Sequence, residues 1–243
     1  MKKFLPLFGT VLFLFVPIFE QKAESRSIRD IATPKGCVRE EYPKGSYQEW
    51  LRDLDLKPDP RIFSYKGQEI KRELYNVHSV ISKPLLFEID IEQCADWGMR
   101  FWADYHRDSK KLSRLYLYNY SGKKRYYSSY GKDYLSFLKV SFDETNSWSV
   151  KKGAKTVLED KLVPGDMILQ NENGGVGHLS VLMDSCSFAD GKRLFLIGYS
   201  FMPAQEFHIE RNPNRKDGWY DIASFVSYLK EYFPYGEPVF RRF

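Results

Sequence analysis

The chain has 243 residues, 16 % of them aromatic, and a formal net charge of +5. That length suits one large domain or two small ones; with no Ser/Gly-rich or Pro-rich linker and no internal repeat, a single domain is expected. The basic residues fall in short clusters, Lys123 to Arg125 and Arg241 with Arg242, rather than in the concentrated face that a nucleic-acid footprint requires, so nucleic acid is excluded as a partner.

Lys2 and Lys3 precede an apolar run of 16 residues (4 to 19), and a polar stretch with one small residue, Ala23, follows. This is the layout of a secretory signal peptide. The run is short for a spanning helix of roughly 20 residues, although an uncleaved membrane anchor is the competing reading and the only membrane attachment expected. Cleavage near Ala23 leaves 220 residues and takes the net charge from +5 to +3, three lysines and one glutamate being lost. An exported, periplasmic or secreted protein is expected.

Residues 24–45 carry Pro34, Gly36, Pro43 and Gly45 and read as an extended lead-in to one domain over 46–243. Ser46 and Glu49 have capping-box spacing, so a short helix through Trp50 is predicted, ending before Pro58. Tyr75 to Ile81 alternates and is rich in β-branched residues, hence a strand. Asp90 and Gln93 form a second capping box, with Asp90 as the cap. Behind it Ala95, Met99, Trp102 and Tyr105 recur at helical spacing, which places Cys94 in the first turn of an amphipathic helix. Aromatic segments on either side of Ser121 and Gly122 read as a hairpin, and helices are predicted over 134–140 and 145–158. Three apolar runs, 166–170, 177–184 and 193–200, are separated by turns at Asn173-Gly174-Gly175 and Asp190-Gly191 and make an antiparallel meander. A helix over 222–232 and a strand near Val239 close an α+β arrangement.

Cys37, Cys94 and Cys186 are an odd number, so at least one thiol is free or paired between chains, and three pairings are open. No CxxC occurs, and the four histidines show no ligand spacing, so no metal and no cofactor are expected. His78 reads as a satisfied core residue, His106 as exposed and His208 as part of a strand. A thiol at a helix N-terminus sits in the positive end of the backbone dipole, which favours the nucleophilic thiolate, and the free amides there can hold an oxyanion. The plain alternative is a cysteine packed as a small hydrophobe. His178 follows Gly174, Gly175 and Gly177 at the head of a core strand, where an imidazole can serve as general base. Ser200 and Gln205, near the end of the next strand, are candidates to orient it.

A helix-borne Cys, a His at the head of a meander and a polar residue one strand later resemble the order in papain-like cysteine hydrolases. Leu162–Gln170 and Gly177–Asp184 look like the core segments of the bacterial cell-wall peptidases of the NlpC type. From about Tyr47 onward the chain is similar to the uncharacterised bacterial family known as domain of unknown function 4846. The segments that carry this are EWLR at 49–52, QCAD at 93–96, Pro164-Gly165-Asp166, Gly177-His178, MPAQ at 202–205 and Trp219-Tyr220. That family's pattern singles out Gln93, Cys94, Asp96, His178, Ser200 and Gln205. Two departures stand out: Tyr199 replaces the family's usual Gln before Ser200, and Phe201 replaces its Tyr. That family brings no established activity; the papain-like resemblance, together with the export signal, implies an exported cysteine hydrolase, a peptidase or amidase of the cell envelope. Cys94 is then the nucleophile, His178 the base, Ser200 or Gln205 the orienting group, and Gln93 with Asp90 the oxyanion and cap residues. A catalytic Cys94 stays reduced, so a disulfide, if one forms, joins Cys37 and Cys186. The rival reading is a non-catalytic envelope module of the same fold that binds a peptide or glycan.

Overall fold

The computed structural model describes residues 26–73, 75–131, 133–215 and 217–243; the segment read as a signal peptide lies outside the described residues. In chain order the elements are β1 (Val38–Arg39), α1 (Tyr47–Arg52), β2 (Ile62–Phe63), β3 (Glu69–Ile70), β4 (Val77–Val80) and α2 (Cys94–Asp108). β5 (Tyr116–Tyr118), β6 (Lys124–Tyr126), α3 (Tyr134–Glu144), α4 (Ser147–Gly153), β7 (Lys155–Thr156) and β8 (Met167–Gln170) follow. The chain ends with β9 (His178–Ser187), β10 (Arg193–Tyr199), β11 (His208–Glu210), β12 (Trp219–Tyr220), α5 (Ile222–Tyr232) and β13 (Val239–Arg242).

The expected meander β8–β9–β10 is the centre of a larger antiparallel sheet in the order β4-β11-β10-β9-β8-β13-β7, with β1 on β9 and β12 on β10. The protein is α+β. β9 is buried along almost its whole length, because helices cover both faces of the sheet. Leu179, Val181 and Met183 pack with Trp97 and Met99 of α2 on one face, whereas Leu182 packs with Phe225 and Leu229 of α5 on the other. A strand covered on both sides carries apolar residues at every parity, so its in/out pattern vanishes. α2 can lie close to β9 because Gly98 stands where a Cβ would come within 3.0 Å of Leu179.

The register between β9 and β10 shifts at Leu196/Ile197. Such a bulge turns two successive side chains toward one face, and here both Met183 and Asp184 meet the α1 side. Asp184, fully buried, accepts from Arg52 Nε at 2.8 Å and pairs with Arg39 Nη1 at 3.1 Å. The lead-in is thus bound into the core: Ile28 and Ile31 are buried and Cys37 is joined to Cys186 by a disulfide. Arg52→Ala leaves Asp184 with one charged partner, Arg39, and the Ser185 amide. The expected loss is about 2 kcal/mol in a urea melt, less than for an orphaned buried charge because Arg39 remains.

Some local expectations shift. Ser46 Oγ accepts from the Glu49 amide at 3.3 Å, but the Glu49 carboxylate turns to Arg29 and Arg52 instead of closing the box. The helix predicted over 145–158 is only α4: Asn146 caps its start by accepting from the amides of Trp148 and Ser149, and the chain turns extended at Ala154 to pair β7 with β13. His106 is buried, not exposed, with Nδ1 at 2.8 Å from the Trp102 carbonyl. Trp102 and the C-terminal Phe243 stack over that end of α2. His78 is half-buried and bonds Ser79 Oγ, and His208 lies in β11 as expected.

Candidate functional site

α2 begins at Cys94, with Gln93 in extended backbone as its N-cap. The box-closing carboxylate is therefore Asp96, whose Oδ2 accepts from the Gln93 amide at 2.9 Å. Asp90, expected as the cap, has a different task. Its Oδ1 accepts from the Ala204 amide at 2.6 Å and from Gln93 Nε2 at 3.0 Å, which fastens the loop after β10 to the head of α2. Trp97 Nε1 donates to the Gln205 carbonyl of the same loop at 2.9 Å. A cleft of about 260 Å³ opens at this helix head. Asp90, Gln93, Cys94, Asp96, Asp143 and Asn146 are among its polar lining, which Thr145, Ser147 and Gly177 extend. A Cβ at Gly177 would run into Ser147 Oγ and the Gln170 carbonyl, so only glycine lets β9 begin here.

Cys94 is free and 8 % exposed. Burial, reinforced by the Asp96 carboxylate, pushes its thiol up to about 12, although the Leu179 and Ala95 amides pull the other way. Desolvation of the charged form outweighs the helix head here. The same burial holds the Asp96 carboxyl well above the usual carboxylate range, and its Oδ1 has no partner within the protein.

The structure gathers Asp90, Gln93, Cys94 and Asp96 in one cleft; His178, Ser200 and Gln205 do not line it. Leu179 faces α2, so by strand alternation His178 projects to the opposite face of the sheet. There its ring stacks on Phe233 at 4.1 Å and meets the Tyr199 ring at 5.1 Å. Nε2 lies 3.0 Å from Ser180 Oγ, and no hydrogen bond joins the imidazole to Cys94 among the described residues. Burial, and to a smaller extent His208, lowers this imidazole to about 3. Ser200 Oγ donates to the Gln205 carbonyl and Gln205 Nε2 to Tyr75 Oη, so neither orients the ring. Tyr199, where the resemblance calls for glutamine, does reach the imidazole, but by its ring edge; its hydroxyl serves Glu210 and Tyr228.

Asp143, Asn146 and Ser147 were not singled out from the sequence. The usable signal was Asn146 three residues before Ser149, an N-cap spacing that breaks the segment into two helices and leaves the break beside the cleft. Among the described residues no group of His, Cys, Asp and Glu is placed to hold a metal ion, and no helix is long and apolar enough to cross a membrane.

No curated protein and no solved structure matches the chain. A family profile does, over residues 28–134 and 123–233, spanning nearly all of the described protein. The chain therefore belongs to the family described as Domain of unknown function (4846).

Proposed function

We propose that the protein is an exported module of the cell envelope that holds a peptide or glycan in the cleft at the head of α2 without covalent chemistry. One observation carries this reading: the imidazole expected to activate Cys94, the only free thiol among the described residues and a buried one, lies on the other face of the sheet. A nucleophilic cysteine needs its thiolate and a base within hydrogen-bond reach. The Cys37–Cys186 disulfide supports export, since such bridges persist in oxidising compartments.

A shift of the thiol from 9.0 to about 12 lowers its thiolate fraction at neutral pH about a thousandfold. Alkylation of Cys94 by iodoacetamide is expected to be at least about a hundredfold slower than that of an unhindered thiol. It should also be indifferent to His178→Leu. A fast rate that collapses in that variant overturns the binding reading.

That outcome would favour the second reading, a papain-like hydrolase of the NlpC kind. What favours it already is that Cys94 lines an open cleft from the first turn of a long helix. It requires the His178 ring to come around to the sulfur when ligand binds, since unliganded sites can be looser than working ones.

A further inference from the structure

Among the described residues no Lys or Arg lines the cleft at the head of α2, yet three carboxyl groups do: Asp90, Asp96 and Asp143. Asp143 stands out from its position. It lies in the last turn of α3, at the negative end of the helix dipole, where an acidic side chain is disfavoured. Its neighbour Glu144 is balanced by Arg125, whereas Asp143 is exposed and has neither an ion pair nor a hydrogen bond among the described residues. A local rule broken without structural compensation is what a binding site leaves in a fold. Asp96 adds an independent sign. It lines the cleft and is 95 % buried; its Oδ2 is held by the Gln93 amide, and its Oδ1 has no partner within the protein. Gln93 contributes an amide oxygen too, because its nitrogen is spent on Asp90.

The two walls have opposite polarity. On one side the head of α2 offers backbone N–H groups and the positive end of a 15-residue helix. On the other, Asp143 and the end of α3 offer negative charge. A ligand with a carbonyl oxygen at the first wall and a cation at the second satisfies both, and a neutral sugar satisfies only one.

We propose that the cleft selects a ligand carrying a protonated amine beside an amide carbonyl, as in a peptide with a lysine side chain or a free amino terminus. This rests on the binding reading above and narrows its ligand to cationic peptides. The ammonium lies between Asp143 and the free oxygen of Asp90, and the amide carbonyl faces the amides of the α2 head near Cys94.

The test compares N-acetyl-lysinamide with N-acetyl-norleucinamide, which has the same aliphatic chain without the charge, and with N-acetylglucosamine. Each is titrated into the full protein while the backbone amide signals of residues 93–96 are followed. The lysine derivative should shift them with an affinity at least about tenfold above the norleucine derivative. Asp143→Asn, a change on the surface that relieves the clash with the helix dipole, should erase most of that preference without lowering the melting temperature. Equal affinity for the two amides, a preference that survives Asp143→Asn, or shifts from the sugar alone each overturn the inference and leave the binding reading standing. Silence from the lysine derivative also overturns it. The binding reading itself fails on a different readout, fast His178-dependent alkylation of Cys94.

Discussion

Reducing the Cys37–Cys186 bridge is expected to lower the melting temperature by about 10–20 °C. The bridge closes a loop with a sequence separation of 149 residues. For a loop of that size, restriction of the unfolded chain contributes about 5 kcal/mol, and about 2–4 °C is lost per kcal/mol in a protein of this length. The folded side points the same way. β1 is two residues long, and Val38 beside the bridge is 71 % exposed, so strand pairing alone holds this segment weakly. Yet the same segment carries Arg39 to the buried Asp184 and, just beyond the strand, Glu40 to Arg193. Loosening it threatens a charge network as well as a loop closure. The measurement is a thermal melt with and without reductant, the thiol titre confirming that two sulfurs have been freed. The double variant Cys37→Ala/Cys186→Ala should reproduce the reduced curve. A melt that ignores reduction would show that packing of Ile28 and Ile31 already fixes the segment.

The legible parts of this fold are those where chemistry is local. Glycine-containing turns between apolar runs marked out β8, β9 and β10, and the 3.6-residue recurrence of Ala95, Met99 and Trp102 marked out α2. The start of α2 was misplaced by a cap because Asp90 and Asp96 flank Gln93 symmetrically, each three residues away. Which carboxylate closes the box was decided by a distant partner, the Ala204 amide, which engages Asp90. The direction of His178 was illegible for a related reason. In a strand with one wet face, alternation of polar and apolar residues shows which side chains look inward. β9 has no wet face, so the buried Ser180 and His178 gave no clue that their side of the sheet belongs to α5 rather than to the cysteine helix. The cleft itself depends on where α3 stops and α4 starts. Asp143 and Ser147 become neighbours of Cys94 only through that break.

Acidification is expected to destabilise the protein through His178 by about 3 kcal/mol at about pH 4.5. In the unfolded chain the imidazole takes up its proton near its ordinary value of 6.5; burial, with His208 as the lesser cause, lowers it to about 3 in the fold. Between those limits the unfolded state binds more protons, so the contribution is complete above pH 6.5 and is lost as the pH falls toward 3. Each pH unit inside the window is worth about 1.4 kcal/mol, which gives the quoted loss two units down. Other buried groups oppose it. Burial raises the carboxyls of Asp96, Glu92, Asp166 and Asp184, which take up protons more readily in the fold and gain stability on acidification. The histidine's share is therefore read from a difference: urea stabilities of wild type and His178→Leu at about pH 7.5 and pH 4.5, the variant expected to lose about 3 kcal/mol less over the interval. If both proteins lose the same amount, His178 titrates as an ordinary imidazole in the fold. A ring that accepts a proton so readily cannot remain sealed against Phe233, and it would then be free to swing toward the cysteine helix. The hydrolase reading would regain the base it now lacks.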